Sequence, residues 1–260
     1  VNDAALRDAL AAAWPAADVE AAPGWLLRST PAVARGRLNS ALPLVPDPDP
    51  APVEAFYAAR GLAPAIQLAP RDGHPRLEAE LDARGWVARR PALVLAAAAD
   101  EAGLEAAGGD ERRIALLAAP EPRWLEAWGA AEGRERDDVA AHARAVLSRL
   151  DGRAAYAFAD GGAAVGLGVA EGELCALFCV ATRPERRRRG LAAVVVGALG
   201  AWGRTRGART VALEVEEGNA PALALYARLG FERRYAYVNR ALMKSRYQSP
   251  ERLTVRRCVA

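Results

Sequence analysis

Residues 174–192 read LCALFCVATRPERRRRGLA, and this stretch decides the fold. Leu174–Thr182 is a nearly unbroken apolar run, the pattern of a strand covered on both faces. A basic loop follows, and Gly190 opens a helix over Leu191–Arg206. Its residues Leu191, Val194, Val195, Ala198, Leu199 and Trp202 fall at i, i+3, i+4, i+7, i+8 and i+11. A strand that turns through a glycine into a helix start aims several backbone N–H groups one way. Gly190 lets a ligand come close to the backbone, the helix dipole favours negative charge there, and arginines add charge-assisted hydrogen bonds. The pattern suits a phosphoanhydride. Read alone, Arg186-Arg187-Arg188-Arg189 is a solvated charge run or a nucleic-acid patch; its place between a buried strand and a helix favours the anion site. No G-x-x-x-x-G-K-[ST] occurs, which argues against a nucleoside triphosphatase.

The composition shows why position matters more than charge. The chain has 260 residues, 52% hydrophobic and 26% charged, enough for a sizeable core in one large or two modest domains. Lys244 is the only lysine among 35 basic residues, so arginine is compositional background. Residues 1–105 carry 10 arginines against 14 acids, and residues 106–260 carry 25 basic against 18 acidic residues. The longest uncharged apolar stretch, Leu191–Gly203, is shorter than the ~18–20 residues a membrane span needs. Asp3, Arg7 and Asp8 interrupt the first run, which is no secretory signal. Cys175, Cys179 and Cys258 are too few and too badly spaced for a disulfide framework or a zinc site, so no metal is expected. Cys175 and Cys179 share a strand face and read as core. The expected location is cytoplasmic.

Around the decisive stretch, the second half alternates strands and helices. Strands are predicted at Arg113–Ala119, Ala154–Ala159, Ala163–Ala170, Thr210–Val215 and Glu232–Leu242, and helices at Arg123–Ala131, Val139–Leu150 and Ala220–Leu229. A hairpin turns at Asp160-Gly161-Gly162. This is a mixed α/β sheet of the α+β kind. A second element stands after the strand TVALEV: Glu216-Glu217-Gly218-Asn219-Ala220-Pro221, then a helix ending at Gly230-Phe231. Asn219 suits a helix N-cap, and Tyr226 lies two turns along the same face, where an aromatic is usually core.

The two segments, V-A-T-R-P-E-R-R-R-R-G-L-A and N-A-P-A-L-A-L-Y-A-R-L-G-F, resemble the two signature regions of the GNAT (GCN5-related N-acetyltransferase) superfamily. They occur in order, separated by one helix and one strand. The resemblance covers residues ~106–242, on the order of a domain. It implies an acyl-CoA N-acyltransferase fold and an acetyl-CoA cosubstrate. Its [QR]-x-x-G-x-[GA] loop falls on Arg187, Arg188, Arg189, Gly190, Leu191 and Ala192, whose N–H groups would hold the pyrophosphate. Val180 and Asn219 would bond the pantetheine arm, and Tyr226 would protonate the departing thiolate. The implied reaction is direct attack by a neutral primary amine of a small molecule or peptide. Leu174–Thr182 contains no acid, so the base position used by some members looks empty. Glu173, Glu214 and Glu216 remain candidates, the last two on one face.

The first half reads as a helix Asp3–Trp14, paired strands Gly24–Thr30 and Arg35–Leu44, a helix Val53–Arg60, a strand Ile66–Ala69, a helix Arg76–Arg84 and a strand Arg90–Ala98. Its close, helix then Gly85-Trp86 then an Arg-rich strand, repeats the Gly230-Phe231 pattern, with Leu81 at the place of Tyr226. Prolines and aspartates occupy Leu44–Pro50 where a phosphate loop would lie. We therefore expect a tandem arrangement: a degenerate GNAT-like domain over 1–105 without a cofactor loop, a catalytic domain over 106–243, and a basic tail over 244–260. The boundary falls in the Ala/Gly/acid stretch Asp100–Glu111. Trp25–Arg28 and Arg37–Ser40 resemble the W-L-L-R and R-x-N-S strands of bacterial GNAT proteins. Arg37 and Asn39 are expected on an exposed strand face, the alternative being an acceptor cleft. A non-catalytic acyl-CoA-binding regulator is the alternative function. Nucleic-acid binding is the weakest, because aromatics are only 6% of the chain.

Overall fold

The computed structural model describes residues 2–33, 36–70, 73–101, 103–104, 107, 114–150 and 152–242. The basic tail expected over 244–260, with Cys258, lies outside the described residues, as does most of the stretch 105–113. In chain order the elements are α1 (Asp3–Ala13), β1 (Asp18–Ala22), β2 (Trp25–Ser29), β3 (Leu42–Pro43), α2 (Ala51–Ala59), β4 (Ala65–Leu68), α3 (Pro75–Ala83) and β5 (Trp86–Ala98). There follow β6 (Ile114–Leu117), α4 (Pro122–Glu132), α5 (Arg136–Ala145), β7 (Ala154–Ala159), β8 (Ala164–Glu171), β9 (Leu174–Thr182), α6 (Leu191–Thr205), β10 (Thr210–Glu216), α7 (Ala220–Arg228) and β11 (Glu232–Leu242). The local signals act as chemistry requires. Proline stands in the first turn of α2, α3, α4 and α7, where its missing N–H costs nothing. Gly85 and Gly230, both at positive φ, each end a helix and pass into a strand.

An eight-stranded mixed sheet has the order β4-β11-β5-β10-β9-β8-β7-β6, and β1-β2-β3 form a separate small sheet. The position expected for a domain boundary therefore falls between strands of one sheet. β5, from the first 105 residues, lies antiparallel between β10 and β11. β4 flanks β11 on its other side. The units β4-α3-β5 and β10-α7-β11 thus interleave, each placing its last strand between the two strands of the other.

The sheet has two covered faces. Trp14 at the C-terminal end of α1, Trp124 and Trp128 of α4 and Val139 of α5 pack on one face with Val94, Val165 and Phe178. Leu191, Val195 and Leu199 of α6 and Leu225 and Tyr226 of α7 pack on the other with Leu177, Val211 and Leu213. A third cluster joins α2 and α3 to Trp25, Ile66, Trp86 and Val238. Among the described residues no helix is long and apolar enough to cross a membrane, and no group of His, Cys, Asp and Glu could hold a metal ion.

Two expectations need correction. The strand expected over Arg35–Leu44 does not form across Gly36–Leu44, Arg35 lying outside the described residues: Gly36–Leu38 is a short 3-10 turn, Ala41 makes a single parallel bridge to Ile66, and Leu42–Pro43 pairs with Trp25 and Leu26. Asn39 is the cause, because its side chain accepts from the Thr30 N–H (2.7 Å) and donates to the Val33 carbonyl (2.6 Å), folding the segment back. Cys175 and Cys179 also do not share a face. Between Val165↔Ala181 and Leu167↔Phe178, β9 places Cys179 and Val180 opposite Gly166 alone, a β-bulge with Cys179 at φ +54. The extra residue resets the alternation. Cys175 enters the α6 side, where burial pushes its thiol up to about 12, whereas Cys179 packs on the α1 and α4 side.

Gly166, opposite the bulge, is one of the places where α6 comes very close to the sheet. A Cβ there would stand 2.5 Å from Val195 Cγ1 and 3.1 Å from Leu199 Cδ1. Gly166→Val should therefore destabilise the fold by roughly 1–3 kcal/mol through overpacking. Thermal unfolding would read this as a Tm lowered by several degrees; an unchanged Tm would contradict so close an approach.

Candidate active site

β9 and β10 run parallel and in register from Leu174↔Thr210 to Leu177↔Leu213. Beyond Leu177 and Leu213 they part. β9 follows β8 through Thr182↔Ala164, and β10 follows β5 through Glu216↔Ala92. The wedge opens into a cavity of about 250 Å³, lined by Phe178, Cys179 and Val180 on one side and by Glu214, Val215 and Glu216 on the other. Period-two alternation then assigns faces. Phe178 and Glu214, the first residues past the last pair, turn toward α1 and α4, while Val180 and Val215 turn toward α6 and α7.

On the α6 and α7 side, Tyr226 lines the cavity, edge-on to Phe231 at 5.5 Å between centroids. Burial disfavours its phenolate and raises its pKa, so the hydroxyl stays protonated. Asn219 also lines the cavity and caps α7, accepting from the Ala222 N–H at 3.3 Å. Arg187, Arg188, Arg189, Gly190, Leu191 and Ala192 do not line the cavity; they form the turn leaving β9 and the start of α6. Gly190 has φ +79, no atom within 4 Å of a Cβ position, and no side-chain cap bond. The helix start therefore faces open space with its N–H groups uncovered by any capping side chain. The arginines divide: Arg186 pairs with Asp160, Arg187 Nε donates to the Thr182 carbonyl (3.3 Å), and Arg188 and Arg189 are exposed.

On the α1 and α4 side, Glu214 is the buried acid. Its Oε2 accepts from the Tyr237 hydroxyl (2.6 Å) and pairs with Arg37 (2.7 Å). Burial and the neighbouring Glu214 charge both raise the Tyr237 pKa. Burial works most strongly against the Arg37 charge, but Glu214, Tyr237 and Cys179 together outweigh it, so the guanidinium is held cationic. Glu216 is half-exposed at the mouth, 3.7 Å from Arg90. Glu173 lies at the other end of β9, bound to Arg209 at 3.1 Å, and does not reach the cavity. The expectation of an exposed face for Arg37 and Asn39 is also corrected, since Arg37 lines the cavity and Asn39 is turned inward. Trp14, Phe178, Cys179, Arg90 and Tyr237, all lining the cavity, were not anticipated. The bulge has no sequence signal, because its positive φ falls on a cysteine.

A family model described as "Probable histone acetyltransferase Rv0428c C-terminal" matches residues 4–238, continuously across residue 105. No curated protein matches the chain. Among solved structures, a GCN5-related N-acetyltransferase from Kribbella flavida is similar at TM-score 0.65 and 19% identity, over 92% of this chain and 95% of that one. A functionally unknown protein from Staphylococcus epidermidis is similar at TM-score 0.61 and 10% identity, over 85% and 92%. A GCN5-related N-acetyltransferase from Sphaerobacter thermophilus is similar at TM-score 0.52 and 21% identity, over 70% of this chain and 61% of that one. At these identities the likeness concerns the fold; the family match, over most of the chain, concerns kinship. The parted parallel strands, the glycine-led helix start and the family match agree: the chain belongs to the family of the Rv0428c C-terminal region within the GNAT superfamily, and it is an acyltransferase.

Proposed function

We propose that the protein moves an acetyl group from acetyl-CoA to a primary amine on a small molecule or peptide by direct attack. The observation that carries this reading is the wedge itself, with a buried tyrosine on one face and a carboxylate on the other. The family description names histones, so a lysine peptide is the first acceptor to assay. Acetyl-CoA would supply an acetyl thioester. The N–H groups of Arg188–Ala192 and the α6 dipole suit its pyrophosphate, and the exposed Arg188 and Arg189 add positive charge. The bulge leaves backbone of Cys179–Val180 outside the ladder, so that Val180 can bond the pantetheine arm and polarise the thioester carbonyl. Asn219 borders the same channel. Glu214 at the apex, or Glu216 at the mouth, takes the ammonium proton. Tyr226, kept protonated by burial, returns a proton to the leaving thiolate on the opposite face.

We read the two halves as a duplicated, tandem GNAT arrangement whose first copy lost its cofactor loop. The interleaving of β4-α3-β5 with β10-α7-β11 supports that reading.

Calorimetric titration with acetyl-CoA, followed by thiol release in the presence of lysine peptides, polyamines and amino sugars, tests the proposal; absence of acetyl-CoA binding would refute it. Tyr226→Phe keeps the contact with Phe231 and should lower kcat roughly 10–100-fold, below the usual range for a lost general acid because water can substitute. Its acetyl-CoA affinity should stay within about twofold. Unchanged kcat removes Tyr226 from the proton path.

A further inference from the structure

We infer that Arg37 is an internal stand-in for the acceptor's ammonium, seated in the acceptor subsite and displaced by the acceptor when it binds. This rests on the proposed reading of the wedge as the place of amine attack. Phe178 and Glu214 define the apex, and the Arg37 guanidinium fills it, 2.7 Å from Glu214 Oε2 and 5.4 Å from the Phe178 ring centroid. A carboxylate and an aromatic face are what a primary ammonium seeks when it leaves water. Trp14, stacked on Phe178 at 4.6 Å, and Tyr237, bonded to Glu214, complete the walls. The corner is a cation site with a cation in it.

The chain holds Arg37 there by design of its neighbours. Arg28 of the W-L-L-R segment, almost wholly buried, donates to the Ser40 carbonyl (3.1 Å), Ser40 Oγ (3.0 Å) and Gln67 Oε1 (2.9 Å). Asn39 ties the same turn to Thr30 and Val33. Residues on both sides of Arg37 are thus anchored, while its own side chain keeps about a quarter of its surface in water. Such a side chain can give way without unfolding the turn. Leaving Glu214 buried without a cation is costly, so an empty subsite is avoided and only a cation can replace Arg37. Neutral or anionic molecules are refused. The acceptor class that follows is a flexible alkyl ammonium able to reach past Trp14 to the Phe178–Glu214 corner.

The test uses n-butylammonium as the probe and the full chain, without acetyl-CoA, followed by NMR titration. Arg37→Met keeps the aliphatic stem and removes the charge; its affinity for the probe should be about tenfold tighter than wild type, equivalent to about 1.4 kcal/mol. Adding Glu214→Gln should erase that gain, and Arg37→Lys should leave affinity near wild type. In the wild-type chain, which needs no substitution to fold, saturating probe should move the Arg37 Nε–H resonance to a solvent-exposed position. Equal or weaker binding by Arg37→Met, a gain that survives Glu214→Gln, or an unmoved Arg37 resonance at saturation would overturn the inference. Acetyl-CoA binding is measured separately, so failure of the acyltransferase reading and failure of cation exchange are told apart.

Discussion

A chain lacking residues 1–105 is expected to show no cooperative unfolding transition and no acetyl-CoA binding. The reason lies in β5. It is paired to β10 from Ala92↔Glu216 to Ala98↔Thr210 and to β11 from Trp86↔Leu242 to Ala96↔Glu232. Its removal leaves two strands facing each other across an empty lane, with their backbone groups unpaired. The apolar loss is also large. Trp86, Val94 and Leu95 are buried, and at roughly 1.5–3 kcal/mol per fully buried side chain they alone represent about 5–9 kcal/mol. Whole domains are stable by only about 5–15 kcal/mol. The deletion also takes away Trp14, Arg37 and Arg90 from the cavity wall. Far-UV circular dichroism during heating, with gel filtration, reads the outcome directly. A monodisperse 106–260 fragment that melts cooperatively and binds acetyl-CoA would show that the second half folds on its own. Co-expression of the two pieces should recover binding, because the interface between them is a set of complete strands.

The second half was legible because its signals are local. The strand Leu174–Thr182, the helix from Leu191 and the strand Glu232–Leu242 have the expected bounds or differ by one residue, since each joins a clear apolar pattern, unbroken in the first and periodic in the helix, to glycine punctuation. The predicted strand at Arg90 was too short, as Trp86–Arg90 alternate only weakly. What was not legible depends on long-range pairing. Nothing in Trp86–Ala98 states that it will enter the other half's sheet; that follows from which edges remain open after β10 and β11 form. Arg37 illustrates the same limit. Its alternation with Leu38 and Asn39 suggested a surface strand, but Asn39 satisfies the Thr30 and Val33 backbone and turns the segment inward. The apex carboxylate was identifiable as an acid on β10, whereas its partners Arg37 and Tyr237 arrive from 177 residues before and 23 residues after it. The parity shift at Cys179 was invisible, because a bulge on a non-glycine residue leaves no mark in composition.

Gly190→Glu should abolish acetyl-CoA binding while leaving the fold intact. Two effects act together at this position. The backbone has φ +79, and a residue with a Cβ pays about 1–2 kcal/mol in that region. A glutamate also places negative charge at the start of α6, where the dipole and uncapped N–H groups would otherwise receive a phosphate. No atom lies within 4 Å of the Cβ position, so a Cβ there meets no steric obstacle in the folded protein. The thermal midpoint should fall by only a few degrees, while acetyl-CoA affinity should drop at least ~100-fold, or about 2.7 kcal/mol. Gly190→Ala separates the two effects. It carries the same backbone strain without the charge, and its affinity should fall by a factor nearer ten. The difference between the variants should shrink in high salt, because exposed charges at a loop are screened. Calorimetry on both proteins at two salt concentrations gives the answer. If Gly190→Glu binds acetyl-CoA as tightly as wild type, the pyrophosphate lies elsewhere and Arg188 and Arg189 are only solvated surface charges.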